Sequence, residues 1–530
     1  MSDRSPVPRA HLQATHAHAA HVQGRTRVWL RALGAGVLSL ALMAAPLPAA
    51  AQAQPLPSLG DGGDLSIGAE RRMGEQVARA LYRDPSYIDD PVLAEYVQGV
   101  WTRLLAAARA LGEIGPEMEQ RYAWQIVLGA DPEINAFAVP GGYLGLELGL
   151  IAAVDDPDEL AAVLAHELSH VTQRHISRMM AQDSRTLPLI IGAILVGALA
   201  ASRNPDVGNA VIAGSQAAAI SGQLKFSRDM EREADRVGYG VLVKAGYSPK
   251  AFAAMFEKLR ESSRLNDDDA YPYLRTHPLT GERIADMQAR AQFAGGPPLP
   301  PLSVPQAMIK ARAQVLSHGG VDALRAAVAE GRDAALDQQS RVHQVGALYG
   351  AALASMKLRQ FDQARDFVAR LEPLAAGDAA AARLARLLAA EIAWNAGDAA
   401  QVARLIAPTA PGRPELVLSS EARIRLGQSK AVAERLRDWV ATHPQDPTAW
   451  QLLGQAYQAE GEPVRAIRAE AERQVALVDF GAAVDRYKAA QDLIRQRTAA
   501  GQPVDFVEAS IIDARLREVQ QQQKDLDAKR

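Results

Sequence analysis

The sequence predicts a mainly α-helical protein, in which a helical domain with a small β-sheet is followed by a solenoid of helical repeats. Apolar residues make up 48% of the chain but aromatic residues only 5%, and alanine is abundant in the second half. This composition favours packed helices over sheets in that half. The stretch 122–151 differs from its surroundings and contains short runs typical of β-strands. A chain of 530 residues exceeds one ordinary core, so we expect two or three folded units.

Residues 1–53 have the features of a signal peptide. Arg25, Arg27 and Arg31 precede an uncharged run at 32–45, and small residues follow at 49–53. This pattern predicts export from the cytoplasm and cleavage. The long stretch before the run leaves an uncleaved anchor as an alternative, although the run is shorter than the ~20 residues that a membrane span needs. Residues 54–63, rich in Pro and Gly, are expected to form a flexible lead-in.

The charge and the absence of cysteine exclude several kinds of site. The formal net charge is −3 and the chain has no cysteine. The charge gives no indication of nucleic-acid binding. Without cysteine there is no disulfide framework, no thiol nucleophile and no thiolate metal site. Metal ligands must therefore be His, Asp or Glu.

The region 122–151 is predicted to form the small sheet. Residues 124–128 and 136–139 are short β-like runs, and Pro140-Gly141-Gly142 is typical of a turn into a third run at 143–146. The third run has few β-branched residues, which weakens its assignment as a strand.

A helix is predicted to begin directly after Asp156. Asp156 can cap it, Pro157 suits the first helical position, and Glu159 follows three residues after the cap. The apolar residues after this start recur at helical spacing: Leu160, Val163, Leu164, Leu168 and Val171.

This helix carries the sequence His166-Glu167-x-x-His170. Histidines four residues apart project from one face and can bind one zinc ion, while Glu167 lies about 100° around the helix axis. The motif arises by chance in roughly 1% of chains of this length, so it supports a zinc site but does not establish one by itself. His175, five residues after His170, is expected to point away from the site and to be structural.

Glu231 is the candidate third ligand. It lies with Asp235 on one face of a strongly helical stretch, so it can complete a His₂Glu site with an open position for water. Glu167 can then accept a proton from that water and pass it to the leaving amine. Asp235 can receive the outer N–H of a ligating histidine. The alternative for Asp235 is a surface ion pair with Arg232 or Arg236.

These residues carry a resemblance to the M48 peptidase family. It extends from the motif at 166–171 to Glu231-x-x-Ala234-Asp235, to residues 276–284 and to residues 135–142. The resemblance implies a zincin-type metalloprotease domain at 64–294 with one Zn²⁺ per chain. It also implies that His277 faces the zinc, either as a fourth ligand that keeps the enzyme latent or as a donor to the tetrahedral oxyanion.

Two further expectations concern the segment 136–146 and Arg283. In family members the segment 136–146 supplies an edge strand that captures extended peptide. Arg283 is expected to pair with a carboxylate in the core rather than to face substrate.

The second half is predicted to be a tetratricopeptide-like domain at 306–530. Residues 295–305, rich in Gly and Pro, form the linker before it. Trp450-x-x-Leu453-Gly454-x-x-Tyr457, with Gly461 at the turn, matches the repeat signature. Neighbouring units are degenerate, so a generic helical array is the alternative.

The nearly uncharged run 187–201 lies within the peptidase domain and is too short to span a bilayer. It predicts a buried helix or a helix with peripheral membrane contact.

The sequence as a whole indicates a zinc-dependent endopeptidase of the periplasm. Its similarity to repeat-bearing family members implies action on unfolded or stalled outer-membrane proteins, with the repeats docking onto assembly machinery. One alternative is a chaperone or adaptor whose zinc site is latent or structural and closed by His277. Another is an integral membrane peptidase.

Overall fold

A computed structural model describes residues 65–182, 227–265, 272–294 and 296–527. The expected signal peptide and lead-in, and the run 187–201, lie outside these residues. No helix within the described ranges combines the length and apolar character that crossing a bilayer requires. The predicted fold class is confirmed, because the described chain is mainly helical with one small sheet.

The first part of the chain surrounds the motif helix with other helices. Its helices are α1 (Ile67–Arg83), α2 (Pro91–Leu111), α3 (Pro116–Arg121), α4 (Leu148–Ala153), α5 (Pro157–Thr172), α6 (His175–Gln182), α7 (Arg228–Lys244), α8 (Ala251–Leu265), α9 (Pro272–Thr276) and α10 (Gly281–Phe293).

Three strands form the small sheet, in the order β1 (Gln125–Gly129), β3 (Tyr143–Glu147), β2 (Ala136–Val139). β3 pairs in parallel with β1 and antiparallel with β2. The third run is therefore the central strand, and the segment 136–146 supplies an edge strand, as expected, through β2 alone. Phe137 lies opposite Gly145, and a Cβ on Gly145 would lie 2.1 Å from the Phe137 ring. An aromatic ring thus covers the glycine, which stabilises a strand with few β-branched residues.

The motif helix α5 begins as its sequence predicts. The Asp156 carboxylate accepts the Glu159 backbone N–H at 2.8 Å, and Pro157 occupies the first turn. The predicted apolar positions are buried, from Leu160 to Val171. The helix is buried on every side along its second half, because the sheet, α2, α7 and α8 all pack against it. Such a helix holds its side chains in fixed positions.

The second part of the chain consists of helices in succession. These are α11 (Val304–Ser317), α12 (Val321–Arg332), α13 (Arg341–Lys357), α14 (Phe361–Ala375), α15 (Ala379–Asn395), α16 (Ala399–Leu405), α17 (Arg413–Arg425), α18 (Ser429–Thr442), α19 (Pro447–Ala459), α20 (Pro463–Ala476), α21 (Phe480–Ala499) and α22 (Phe506–Asp527).

The sharp repeat signature falls on the pair α19 and α20. Trp450, Leu453 and Tyr457 are buried in α19, and Gly461 adopts a φ of 74° in the turn between the two helices. α11 begins two residues before the predicted domain start at residue 306. Pro305 lies in its first turn, where the backbone N–H that proline lacks would have no partner within the helix.

The two parts share their cores. One apolar cluster runs from α2 and α5 through α11 to α17, and a second joins α1 and the sheet to α21 and α22. Three arginines of the second part pair with carboxylates at the start of α2. Arg312 binds Asp90, Arg383 binds Glu95, and Arg413 binds Asp89. The helical array is thus fixed to the first part at several points.

Candidate metal centre

The structure brings four donor side chains together in the interior. His166 and His170 come from α5, Glu231 from α7, and His277 directly follows α9. All four are buried. Their ligand atoms all lie within 4.8 Å of one another, so this arrangement can hold one metal ion.

The individual distances show how closely the donors converge. The Nε2 atoms of His166 and His170 lie 3.0 Å apart. The Nδ1 atom of His277 lies 3.3 Å from His166 Nε2 and 3.0 Å from Glu231 Oε1. Glu231 oxygens lie 3.6 Å from His166 Nε2 and 3.5 Å from His170 Nε2.

Asp235 and Arg283 border the four donors. The Asp235 carboxylate lies 3.0 Å from Nδ1 of His166, the nitrogen that faces away from the other donors. Arg283 binds both oxygens of Asp235, at 2.6 and 2.8 Å, and its Nη1 lies 2.6 Å from Glu231. Arg283 is buried and pairs with carboxylates, as expected, but these carboxylates belong to the site itself. Asp235 is buried and its carboxylate contacts Arg283 and His166, so it does not form the surface pair that is the alternative for it, and Arg232 binds Asp229 and Glu282.

The carboxylates of the site differ in proton affinity. Burial works to raise the pKa of Glu231, but the His277 and His166 rings outweigh it and hold that pKa well below its usual range. Burial also works to raise the pKa of Asp235. The Arg283 guanidinium outweighs burial, so the pKa of Asp235 is lowered. Burial raises the pKa of Glu167, and the neighbouring histidines offset this only in part. Glu167 is thus the most basic of the three carboxylates.

The histidines of α5 also differ in proton affinity. Burial works to lower the pKa of His166, but the neighbouring Asp235 and Glu231 carboxylates raise that pKa to about 9. Burial and the nearby His166 ring hold the pKa of His170 well below its usual range. These surroundings favour the neutral imidazole of His170, which is the form that binds a metal.

His175 does not point away from His170, so the expected orientation of this side chain is wrong. Its Nδ1 lies 2.9 Å from Nδ1 of His170, and its ring is fully buried. The prediction continued α5 past His170, but α5 ends at Thr172 and Arg174 adopts a φ of 54°. The sequence has no glycine at this turn, so it lacks the usual signal for a helix end.

Gly238 sets the distance between α7 and α5. A Cβ on Gly238 would lie 2.9 Å from the backbone oxygen of Ala165, next to the first ligand histidine. Real Cβ atoms do not approach a carbonyl oxygen so closely, so a larger residue would push the helices apart. The glycine therefore allows Glu231 and Asp235 to reach the histidines of α5.

Gly238→Ala is expected to destabilise the protein by about 1–3 kcal/mol, the usual cost of overpacking a core. The variant should also retain less metal after dialysis, because α7 carries Glu231. Urea unfolding and metal analysis measure the two effects. Gly240→Ala is the control, since a Cβ there has open space and should stabilise the helix by about 0.5–1 kcal/mol. Equal stability and metal content in the two variants would contradict this account.

Comparison with known proteins identifies the family. The model of peptidase family M48 matches residues 95–291. The beta-barrel assembly-enhancing protease of Yersinia pestis is 32% identical over 450 residues, covering 83% of this chain and 89% of the relative. The chain belongs to peptidase family M48.

Other M48 relatives agree with this assignment. The beta-barrel assembly-enhancing protease of Escherichia coli K12 is 31% identical over 429 residues, covering 79% of this chain and 83% of the relative. The mitochondrial metalloendopeptidase OMA1 of Arabidopsis thaliana is 31% identical over 169 residues, covering 32% of each chain. The expected enzyme class is confirmed, and the protein is an M48 metalloendopeptidase.

Proposed function

We propose that the protein is a zinc-dependent endopeptidase of the periplasm that acts in the quality control and assembly of outer-membrane proteins. The proposal rests on one observation: four donor side chains converge on one buried point, and they are those of His166, His170, Glu231 and His277. The long similarity to proteases named for β-barrel assembly supports the substrate class. The expected export of the chain supports the compartment.

The donor set and its spacing fit zinc. Imidazole nitrogens and a carboxylate oxygen are ligands that zinc prefers, at bond lengths of about 2.0–2.1 Å. Tetrahedral geometry with such bonds places ligand atoms about 3.3 Å apart. Five of the six donor pairs lie 3.0–3.6 Å apart, and all ligand atoms lie within 4.8 Å of one another. His166, His170 and Glu231 would hold the ion, which supplies Lewis acidity to water and to the scissile carbonyl.

Glu167 is the proposed general base and acid. It lies on α5 next to a ligand histidine, and its Oε1 is 3.5 Å from His277 Nε2. Its raised pKa favours taking a proton from water and later giving it to the leaving amine. Asp235 would receive the outer N–H of His166 and so fix the orientation of that ring.

His277 is the proposed latch. Its Nδ1 lies 3.3 Å from His166 Nε2 and 3.0 Å from Glu231 Oε1, as close as the other donors lie to one another. In that position it would fill the place that a water or a substrate carbonyl needs, so the arrangement corresponds to a latent enzyme. Its ring stacks on Tyr273 with centroids 4.6 Å apart, which holds it in this orientation. The other role considered for it, stabilising the oxyanion, requires the loop after α9 to move.

His277→Ala tests the latch. We expect cleavage of an unfolded outer-membrane β-barrel protein to rise at least about fivefold, the lower end of typical conformational couplings. His318→Ala, which changes an exposed histidine at the end of α11, should leave the rate unchanged. Zinc content is measured on the same samples and should stay at one ion per chain.

The other results would contradict parts of the proposal. A lower rate with zinc retained would assign His277 to oxyanion stabilisation instead of latching. No cleavage by either the parent chain or the variant, with zinc bound, would favour a chaperone or adaptor with a structural zinc site. A chain without zinc would overturn the proposed mechanism.

The repeat region is proposed to dock onto the assembly machinery. Helical arrays of this kind present extended surfaces to partner proteins. Here the array also holds the start of α2 through three arginines, so a docked partner and the metal site would belong to one rigid unit. Residues 64–294 and 306–530 remain the proposed domains.

A further inference from the structure

His175 occupies a place that the proposed mechanism does not use. It lies at the start of α6, is completely buried, and approaches the far side of the His170 ring from the metal donors. Its Nδ1 is 2.9 Å from Nδ1 of His170, and its Nε2 is 3.1 Å from Oε2 of Glu233. Glu233 is held in turn by Arg178 at 2.8 Å. A continuous chain of contacts therefore runs from His170 to a carboxylate on α7.

The local fold is built to bring His175 back toward α5. Arg174 has a positive φ, which is uncommon for a residue other than glycine and is maintained only where surrounding contacts enforce it. Those contacts come from Glu70 of α1, which binds the Arg174 guanidinium at 2.7–2.8 Å. Glu70 is itself buried and accepts the Tyr122 hydroxyl. The sharp turn after α5 is thus fixed from outside the helix.

The protons along this chain have one consistent arrangement. If His170 uses Nε2 toward the metal, its proton is on Nδ1, because a neutral imidazole carries one proton. His170 Nδ1 then donates to Nδ1 of His175, whose own proton is on Nε2. That nitrogen donates to the Glu233 carboxylate. Every contact in the chain has one donor and one acceptor.

Carboxylates of α7 support both ligand histidines, one by a direct contact and the other through His175. On α7, Asp235 faces His166 directly at 3.0 Å, whereas Glu233 reaches His170 only through His175. Glu233 leaves the helix on another side from Glu231 and Asp235, since side chains two positions apart point about 200° apart. Glu233 on this face of α7 does not reach His170 directly, and the His175 imidazole bridges the two side chains.

We propose that His175, backed by Glu233, is a positioning residue that fixes the tautomer and ring orientation of His170. The proposal rests on the proposed zinc site and assigns one more residue to it. Partners in this outer position generally contribute 10–100-fold to metal affinity. His175 is thus part of the metal centre rather than of the core alone.

Zinc affinity of the purified full chain tests the proposal, measured by competition with a chromogenic chelator. His175→Phe keeps a ring but accepts no hydrogen bond, and should weaken zinc binding about 10–100-fold. His175→Asn places an amide group near the former Nδ1 and should restore part of the loss. Glu233→Gln keeps an acceptor without the charge and should have a smaller effect. Glu233 is partly exposed, so this variant remains informative if His175→Phe does not fold.

The visible spectrum of the Co²⁺-substituted chain gives a second readout that a purely structural role would not change. His175→Phe should shift its bands, because His170 turns and becomes a weaker donor. His343→Phe is the control, since His343 lies on the exposed surface of the repeat region and only approaches Glu330 at 3.8 Å. It should leave both affinity and spectrum unchanged.

The outcomes separate this proposal from the one on which it rests. If the parent chain binds no zinc, the proposed function fails. If the parent chain binds zinc and His175→Phe binds it with the same affinity and spectrum, the role of His175 is overturned. A loss of stability in the zinc-free His175→Phe chain, without any change in affinity or spectrum, would also overturn it.

Discussion

Glu167→Gln is expected to reduce proteolysis by about 10²–10⁴-fold, the usual contribution of a general acid–base residue. Glutamine has nearly the same shape but cannot accept the proton from water. Glu167 is not among the four converging donors, so zinc should remain bound at the level of the parent chain. The buried position of Glu167 means that bulk water cannot easily replace its function.

The experiment compares cleavage rate and zinc content in the parent chain and the variant. Glu282→Gln is a matched control, because the same chemical change falls on an exposed carboxylate at the start of α10. It should have no measurable effect on rate, since exposed ion pairs contribute little. Unchanged proteolysis in Glu167→Gln would discard the mechanism. Loss of activity together with loss of zinc would show that Glu167 acts on the metal site and not as the base.

The largest effect on stability is expected at Arg312. This residue of α11 is buried and binds both oxygens of Asp90, at 2.8 and 2.6 Å. It also binds both oxygens of Glu391, at 3.0 and 2.6 Å, and donates to the Tyr349 hydroxyl. One guanidinium thus neutralises two carboxylates and connects the two parts of the chain.

Arg312→Met should lower the free energy of unfolding by about 3–5 kcal/mol. Methionine retains much of the apolar stem but removes the guanidinium that binds buried Asp90 and half-buried Glu391. Asp90 also caps α2 by accepting the Leu93 N–H, so its displacement would loosen the start of that helix. Total stabilities of folded domains are about 5–15 kcal/mol, so the loss is a large fraction. Urea unfolding monitored by circular dichroism measures it.

Two further variants test the cause of this loss. Arg325→Met, on the following helix, changes an exposed arginine that pairs only loosely with Asp322 and should cost about 0–1 kcal/mol. Adding Asp90→Asn and Glu391→Gln to Arg312→Met should recover much of the loss, because no buried charge then remains. If Arg312→Met and Arg325→Met are equally stable, the buried cluster does not hold the two parts together.

The arginine cluster links the repeat region to the metal centre. α2 packs against both α5 and α7, which carry three of the four donors. Its start is held by arginines from α11, α15 and α17. The helices of the second part therefore stabilise one wall of the proposed active site.

Much of the metal centre could be predicted from sequence because its signals are local. Asp156, Pro157 and Glu159 predict the start of α5 within one turn, and helical spacing puts His166 and His170 on one face. Glu231 and Asp235 share a face of α7 for the same reason. The fold class and the enzyme class, which were predicted from composition and motifs, are confirmed.

Sequence reasoning is weakest where a distant residue decides the local structure. His175 was placed by extending α5, but a buried Glu70 from α1, 104 residues away from Arg174, fixes the turn that reverses it. The strand at 143–147 was doubted from its composition, but the Phe137 ring covers Gly145 from the neighbouring strand. Neither cause lies within the segment that it affects.

The sequence by itself determined the elements that depend on neighbours within a few residues: the capped motif helix, the paired histidines, the turn at Gly461 and the absence of thiol chemistry. Only the tertiary structure decided which side chains meet across helices. Examples are which ligand histidine faces Asp235, which carboxylates Arg283 binds, and the contact of His175 with His170. The reason is that caps and helical spacing follow from local backbone geometry, whereas contacts between distant residues depend on how closely helices pack. At Gly238 that distance depends on the absence of a single Cβ.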